Sequence, residues 1–234
     1  MIDAIDMIYT KCPFYGVRRI TEQLRKDGTV INHKRVHRLM RILGIEAIYP
    51  KPKLSKNNIS HPIYPYLLKN KNITSPNQVW GIDITYVRLK KDWIYLVAIL
   101  DWHSRYVISW ELSETMSVGF CCDALEKALT IGMPEIHNSD QGAQFTSEEY
   151  LAILKKHPNI QISMDHKGRC FDNIFTERLW RTIKYEEVYV KSYDSPKEAR
   201  QSIREYLLFY NNERLHQSLR YLTPSEVYFG TSVN

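Results

Sequence analysis

Two short stretches near the start of the chain carry apolar residues at helical spacing. In "GVRRITEQLRKDG", Val17, Ile20 and Leu24 recur every three to four residues and Gly28 marks a stop. In "NHKRVHRLMRILG" the stripe is Val36, Leu39, Met40 and Leu43, with Asn32 placed to cap the start and Gly44 to end the helix. This pattern predicts a helix, a turn and a second helix whose outer surface is basic through Lys34, Arg35, Arg38 and Arg41. Pro50, Pro52, Pro62, Pro65 and Pro76 then break any regular period, which predicts an extended linker over 49–76.

Beyond the prolines the period shortens to two. "QVWGIDITYVRL", "WIYLVAILDW" and "YVISWELS" are rich in β-branched and aromatic residues, and the first two flank a polar turn at Lys90, Lys91 and Asp92. They predict an antiparallel meander of three strands. The following stretch predicts a helix from about 117 to 130, a strand in "PEIHNS", a helix from about 147 to 157, a strand in "IQISM" and a helix through "FDNIFTERLWRTIKYEEV". Thr146 and Glu149 are spaced as a capping box for the middle helix. In the last helix Phe175, Leu179 and Ile183 form a buried stripe, while Asn173, Glu177, Arg181 and Lys184 fall on another face.

A chain of 234 residues, 44% of them hydrophobic, can bury one sizeable core with a small satellite domain. The longest apolar run, "WIYLVAIL", is far too short to span a bilayer, and no secretory pattern opens the chain. A cytoplasmic protein without membrane contact is expected. Cys12, Cys121, Cys122 and Cys170 form no CxxC pair, which argues for reduced thiols. Charge is unevenly placed: residues 1–71 hold 14 Lys and Arg against 5 Asp and Glu, a net +9, whereas the remainder holds 18 against 21, a net −3. A polyanion is the natural partner for the N-terminal part, because each phosphate neutralised by Lys or Arg releases condensed counterions. His33 and His37, four apart on a basic helix, are expected to face DNA or support the fold rather than bind zinc.

Three acids stand out by position. Strand alternation puts Trp80, Ile82, Ile84 and Tyr86 on one face and Gly81, Asp83 and Thr85 on the other, so Asp83 is a lone carboxylate in a core strand. Asp140, in "HNSDQGAQFTS", ends the fourth strand, where sites are often built, with Gly142 expected to let the backbone turn sharply beyond it. Glu177 alone reads as one member of an ordinary i,i+4 salt-bridged helix face. Together the three suit Mg²⁺ or Mn²⁺, since carboxylate oxygens are hard ligands and a pair of such ions serves phosphodiester chemistry. Without a cation their mutual repulsion would raise their pKa values.

"WGIDITYV", "NSDQGAQFTSEEY", "KGRCFDNIFTERLWRTIKYEEVY" and "YNNERLHQSLRYLTPSEVYF" resemble, in order, the motifs of the DDE transposases encoded by the second reading frame of bacterial insertion sequences, of the retroviral-integrase-like superfamily. "YGVRRITEQLRKDG" and "NHKRVHRLMRILGI" resemble that family's helix-turn-helix. The resemblance covers nearly the whole chain. It implies an α/β fold, an RNase H-like integrase catalytic core with a mixed five-stranded sheet and flanking helices, preceded by a small helical domain. The expected divisions are a helix-turn-helix domain at 1–48, the linker, a catalytic core at 77–190 and a C-terminal helical extension at 191–234.

The resemblance further implies cleavage and strand transfer at element ends, with Asp83, Asp140 and Glu177 holding two ions of Mg²⁺ or Mn²⁺, and Lys184 touching DNA. Arg18, Arg19, Lys34, Arg35, Arg38, Arg41 and Arg181 complete the expected DNA-binding set. Expected partners are the terminal inverted repeats, target DNA, further copies of the chain on DNA and a companion first-reading-frame protein or fused form, all at the bacterial nucleoid. The alternatives are an RNase H-type nuclease and an inactive DNA-binding remnant. One departure stands out: the interval from Asp140 to Glu177 is one residue longer than is usual in that family, and the slack is expected at His157, Pro158 and Asn159.

Overall fold

The computed structural model describes residues 1–48, 63–165 and 174–230. Asn173, Cys170 and the linker stretch 49–62 lie outside them. The chain divides into two compact units, Met1–Lys56 and Asn57–Asn234.

Among its described residues the first unit contains three helices, α1 (Ile2–Lys11), α2 (Val17–Lys26) and α3 (His33–Ile42). Their core joins Ile5 to Ile20, Leu24, Ile31, Val36, Leu39 and Met40, so the apolar stripes read from the sequence are the packed faces. The stop and start signals act as expected: Gly28 and Gly44 take positive φ, and the Asn32 side chain accepts from the Arg35 N–H at 2.9 Å. Helix α1 was not anticipated from the pattern. It completes the core that two short helices could not close by themselves.

The second unit is built on β1 (Val79–Arg88), β2 (Trp93–Asp101), β3 (Val107–Ser113), α4 (Gly119–Ile131), β4 (Ile136–Ser139), α5 (Glu148–Lys155), β5 (Gln161–Met164) and α6 (Ile174–Ile183). A π-helical turn at Lys184–Val188, α7 (Pro196–Asn212), a 3₁₀ turn and α8 (Pro224–Phe229) follow. The sheet order is β3-β2-β1-β4-β5; the first three strands are antiparallel, and β4 and β5 run parallel to β1. Both faces are covered, which explains the near-continuous apolar run of β2. Val97 and Ile99 pack with α4 and α5, whereas Leu96, Ala98 and Leu100 pack with α6 and α7.

Three details differ from the reading of the pattern. The cap of α5 is Ser147, whose side chain accepts from the Tyr150 N–H, while Thr146 is buried and donates to the Gly142 carbonyl. Part of the proline-containing stretch belongs to the sheet unit: Leu67 N–H donates to Ser163 Oγ, and Leu68 is buried with Val79, Trp102 and Ile136. The segment after residue 190 supplies core, with Ala199, Ile203, Leu207 and Tyr210 buried on the sheet. No helix among the described residues is long and apolar enough to cross a membrane.

Candidate active site

Strand register places the first two acids. Gly81 of β1 pairs with Asn138 of β4 in parallel, and two residues further along each chain stand Asp83 and Asp140. Partners in a parallel pair share a face, and a step of two residues preserves it. Odd-numbered residues of β1 face α6, as Val87 does, so this register aims the pair toward that helix.

Helix α6 is held there by direct contacts. Trp180 Nε1 donates to Asp83 Oδ2 at 2.9 Å, and the Ile84 N–H donates to Asp83 Oδ1 at 2.8 Å. Glu177 lies three residues before Trp180, one turn along the same side. Leu179 and Ile183 are buried and Phe175 is half-buried, so the helix register around Glu177 agrees with the sequence pattern. Gly81 makes the approach possible. A Cβ there would stand 2.3 Å from Trp102 Nε1 and 3.1 Å from Thr176 Oγ1.

The electrostatics record this proximity. Burial raises the Asp83 carboxyl to about 6; the bonds from Trp180 and Ile84 oppose the rise, and the charges of Asp140 and Glu177 add to it. Asp140 is exposed by surface area, yet the protein packed round it raises its pKa, against the lowering effect of the Gly142 N–H, which donates to Oδ1 at 2.8 Å. Gly142 has no positive φ; what it supplies is space, because an added Cβ would lie 2.8 Å from Asp140 Oδ1. Glu177 is exposed.

A cation would answer the charge these carboxylates accumulate, and all their oxygens are hard donors of the kind Mg²⁺ takes. They are neighbours rather than a finished ligand set: among the described residues no group of three or more His, Cys, Asp and Glu is arranged to hold a metal.

Sequence reasoning missed the residues that fix the acids. Gln141 Nε2 donates to the Asp165 carbonyl at 2.9 Å, and Asn138 Nδ2 donates to Asp165 Oδ1 at 2.8 Å, tying the Asp140 loop to β5. No local pattern signals a contact between residues so distant in the chain. Trp180 was legible in part, since its spacing of three from Glu177 puts it on the adjoining position of the helix. A groove of about 900 Å³ lies elsewhere, along β3 between α4 and α7, and is lined by none of the three acids.

The expected DNA-binding side chains fall into two groups. Arg18 and Arg19 of α2 and Lys34, Arg35, Arg38 and Arg41 of α3 are all exposed. Arg18, His33, Lys34 and His37 line one groove of about 420 Å³ between these helices. In the second unit Arg181 is exposed and Lys184 half-exposed, both on the segment that follows Glu177.

Known domain families match both units of the chain. An HTH-like domain matches residues 1–53, and integrase core domains match residues 73–170 and 158–224. An uncharacterised 31 kDa protein of insertion element IS600 from Shigella sonnei is 32% identical over 218 residues, covering 90% of this chain and 80% of the relative. The transposase for insertion sequence element IS904 from Lactococcus lactis is 32% identical over 226 residues, covering 91% and 86%. The transposase InsF for insertion sequence IS3A from Escherichia coli K12 is 34% identical over 219 residues, covering 91% and 76%. Among solved structures, the HTLV-2 integrase catalytic core domain in complex with magnesium aligns with a TM-score of 0.54 at 22% identity, over 66% of this chain and 97% of that one. The simian T-cell lymphotropic virus intasome structure aligns with a TM-score of 0.60 at 17% identity, over 99% and 76%. These two likenesses are of fold.

Proposed function

This chain belongs to the insertion-sequence transposases that carry an integrase core and an HTH-like domain, and on that premise we propose that Asp83, Asp140 and Glu177 are the carboxylates that hold its catalytic metal. The observation that carries the proposal is the parallel register of β1 and β4, which brings Asp83 beside Asp140, together with the Trp180 bond that anchors the Glu177 helix to Asp83. The ions are Mg²⁺ or Mn²⁺, two per site; magnesium in the HTLV-2 integrase core, on the same fold, supports that choice. Bound there, they supply an activated oxygen nucleophile and neutralise charge on the leaving oxygen.

The side chains of the protein have separate tasks. Trp180 and the Ile84 N–H fix the two oxygens of Asp83, so its orientation is set before any cation enters. Gly142 donates to Asp140 and keeps the space beside it clear for DNA. Arg181 and Lys184 hold the cut strand by its phosphates, and the basic residues of α2 and α3 bind the terminal repeats. Water and then a DNA 3′-hydroxyl act as nucleophiles, giving cleavage followed by strand transfer. Element ends, target DNA, further copies of the chain and a companion first-reading-frame product are the partners this chemistry requires.

Asp83→Asn, Asp140→Asn and Glu177→Gln each keep bulk while removing a ligand charge. Each is expected to abolish Mg²⁺-dependent cleavage and strand transfer of terminal-repeat DNA while leaving the fold and most DNA affinity. Near wild-type strand transfer by any one of them would remove that residue from the assignment.

A further inference from the structure

Past Glu177 the helix changes its winding. Lys184–Val188 form a π-helical turn, and the Tyr189 N–H donates to the Lys184 carbonyl at 2.8 Å, five residues back. Such wide turns are rare in helices and frequent at functional sites. This one changes which side chains face outward. In an unbroken α-helix Tyr189, twelve residues beyond Glu177, would lie about 120° round from it. The wide turn takes back roughly one residue of rotation, about 100°, and returns Tyr189 to the face that carries Glu177 and Arg181.

The result is a pair of uncovered rings. Tyr185 and Tyr189 are each 65% exposed, and their centroids stand 5.4 Å apart at an interplanar angle of 80°. The Arg181 guanidinium lies 5.8 Å from the Tyr185 ring centre. The two acids between the tyrosines are bound by other residues: Glu186 accepts from Arg214 and Tyr206, and Glu187 from Tyr193 and Ser202. Among the described residues no carboxylate pairs with Arg181 or Lys184. The outer face therefore offers aromatic rings and positive charge together, continuous with the helix of the candidate site.

We propose that Tyr185 and Tyr189, the latter brought into line with Glu177 by the π turn, stack on unpaired bases at the DNA end being processed, with Arg181 and Lys184 beside them on its phosphates. This rests on the transposase reading above. Exposed rings interleaved with cations are the recurring means of holding single strands, because every base has a π-face and the backbone supplies negative charge. A second copy of the chain is the competing occupant. Charge favours DNA, since the exposed Arg181 and half-exposed Lys184 on this face suit a polyanion better than the same cationic face of another copy.

The test uses the full chain in EDTA, so that binding is read apart from catalysis. The probes are a terminal-repeat duplex with a short unpaired 3′ extension carrying 2-aminopurine, and the same duplex fully paired and closed by a hairpin. Wild type is expected to prefer the extended duplex and to quench its fluorescence. Tyr185→Ala with Tyr189→Ala should lose that preference by about tenfold per stacked base, with unchanged affinity for the closed duplex. Phe at both positions should retain the preference and Leu should lose it. Recovery by Leu, equal loss on both DNAs, an unchanged double variant, or a changed sedimentation coefficient without loss of the end preference would each overturn the platform while the transposase reading stands. Wild type binding neither DNA would overturn both.

Discussion

Gly81 shows how much of the site rests on a residue with no chemistry of its own. Strand alternation identified Asp83 and its face, because the period of two is written locally in "WGIDITYV". It could not show that Trp102 and Thr176 close over Gly81, since those contacts join three separate segments. Gly81→Ala would put a methyl 2.3 Å from Trp102 Nε1, with Trp102 almost fully buried and unable to swing clear. Such overpacking typically costs about 1–3 kcal/mol. We expect a lower melting temperature and, because α6 must move off β1, a loss of cleavage larger than the stability change explains. Thermal unfolding and a cleavage assay on the same sample check this. A variant with wild-type values for both would show that Trp102 gives way at little cost. Gly142 teaches the same lesson at Asp140: its position was legible, but its reason is clearance beside the carboxylate, where the pattern suggested a sharp turn.

Elements were legible wherever their stripes were regular. Helices α2 and α3, the three-strand meander and α6 all follow from periodicity, and Asn32 caps α3 as its sequence suggests. The cap of α5 was misplaced by one residue because Thr146 and Ser147 are both capable acceptors, and packing buries the first. The tail helix α7 was taken as an extension because its buried positions are spread over a long, charged helix, and only the sheet shows what they meet. For α3 the exposed Arg35 and Arg38 allow a test at this scale. Replacing both by Ala should weaken terminal-repeat binding and reduce the magnitude of the salt slope by up to about 2, near 0.9 for each phosphate contact. Binding titrations over a range of salt concentrations read the slope. An unchanged slope would make these residues a solvated face.

At the scale of the whole molecule, the sequence disclosed a basic first unit, since charge is a sum over many residues, while the mixed sheet of the second was implied by the family resemblance. Strand order is another matter: β1 lies at the junction of the antiparallel and parallel halves, and no local pattern states which strands become neighbours. The stability of the sheet unit also contains a term visible only in the fold. His137 on β4 is fully buried, its Nε2 is 2.7 Å from Tyr150 Oη, and burial pushes its pKa down to about 3 from an ordinary 6.5. The sign follows from proton counting. Between about 6.5 and 3 the unfolded chain binds a proton at this residue and the folded chain does not, so stability falls as pH falls through that window. One proton corresponds to a slope approaching about 1.4 kcal/mol per pH unit. His137→Gln removes the titrating ring and keeps a polar group facing Tyr150, so the variant should lose less stability than wild type between pH 6.5 and 4, whatever its stability at pH 7. The carboxylates of the unit titrate in both proteins and cancel in the difference. Urea unfolding at a series of pH values measures it, and parallel pH dependences for the two proteins would show that protonation of His137 does not contribute to acid unfolding.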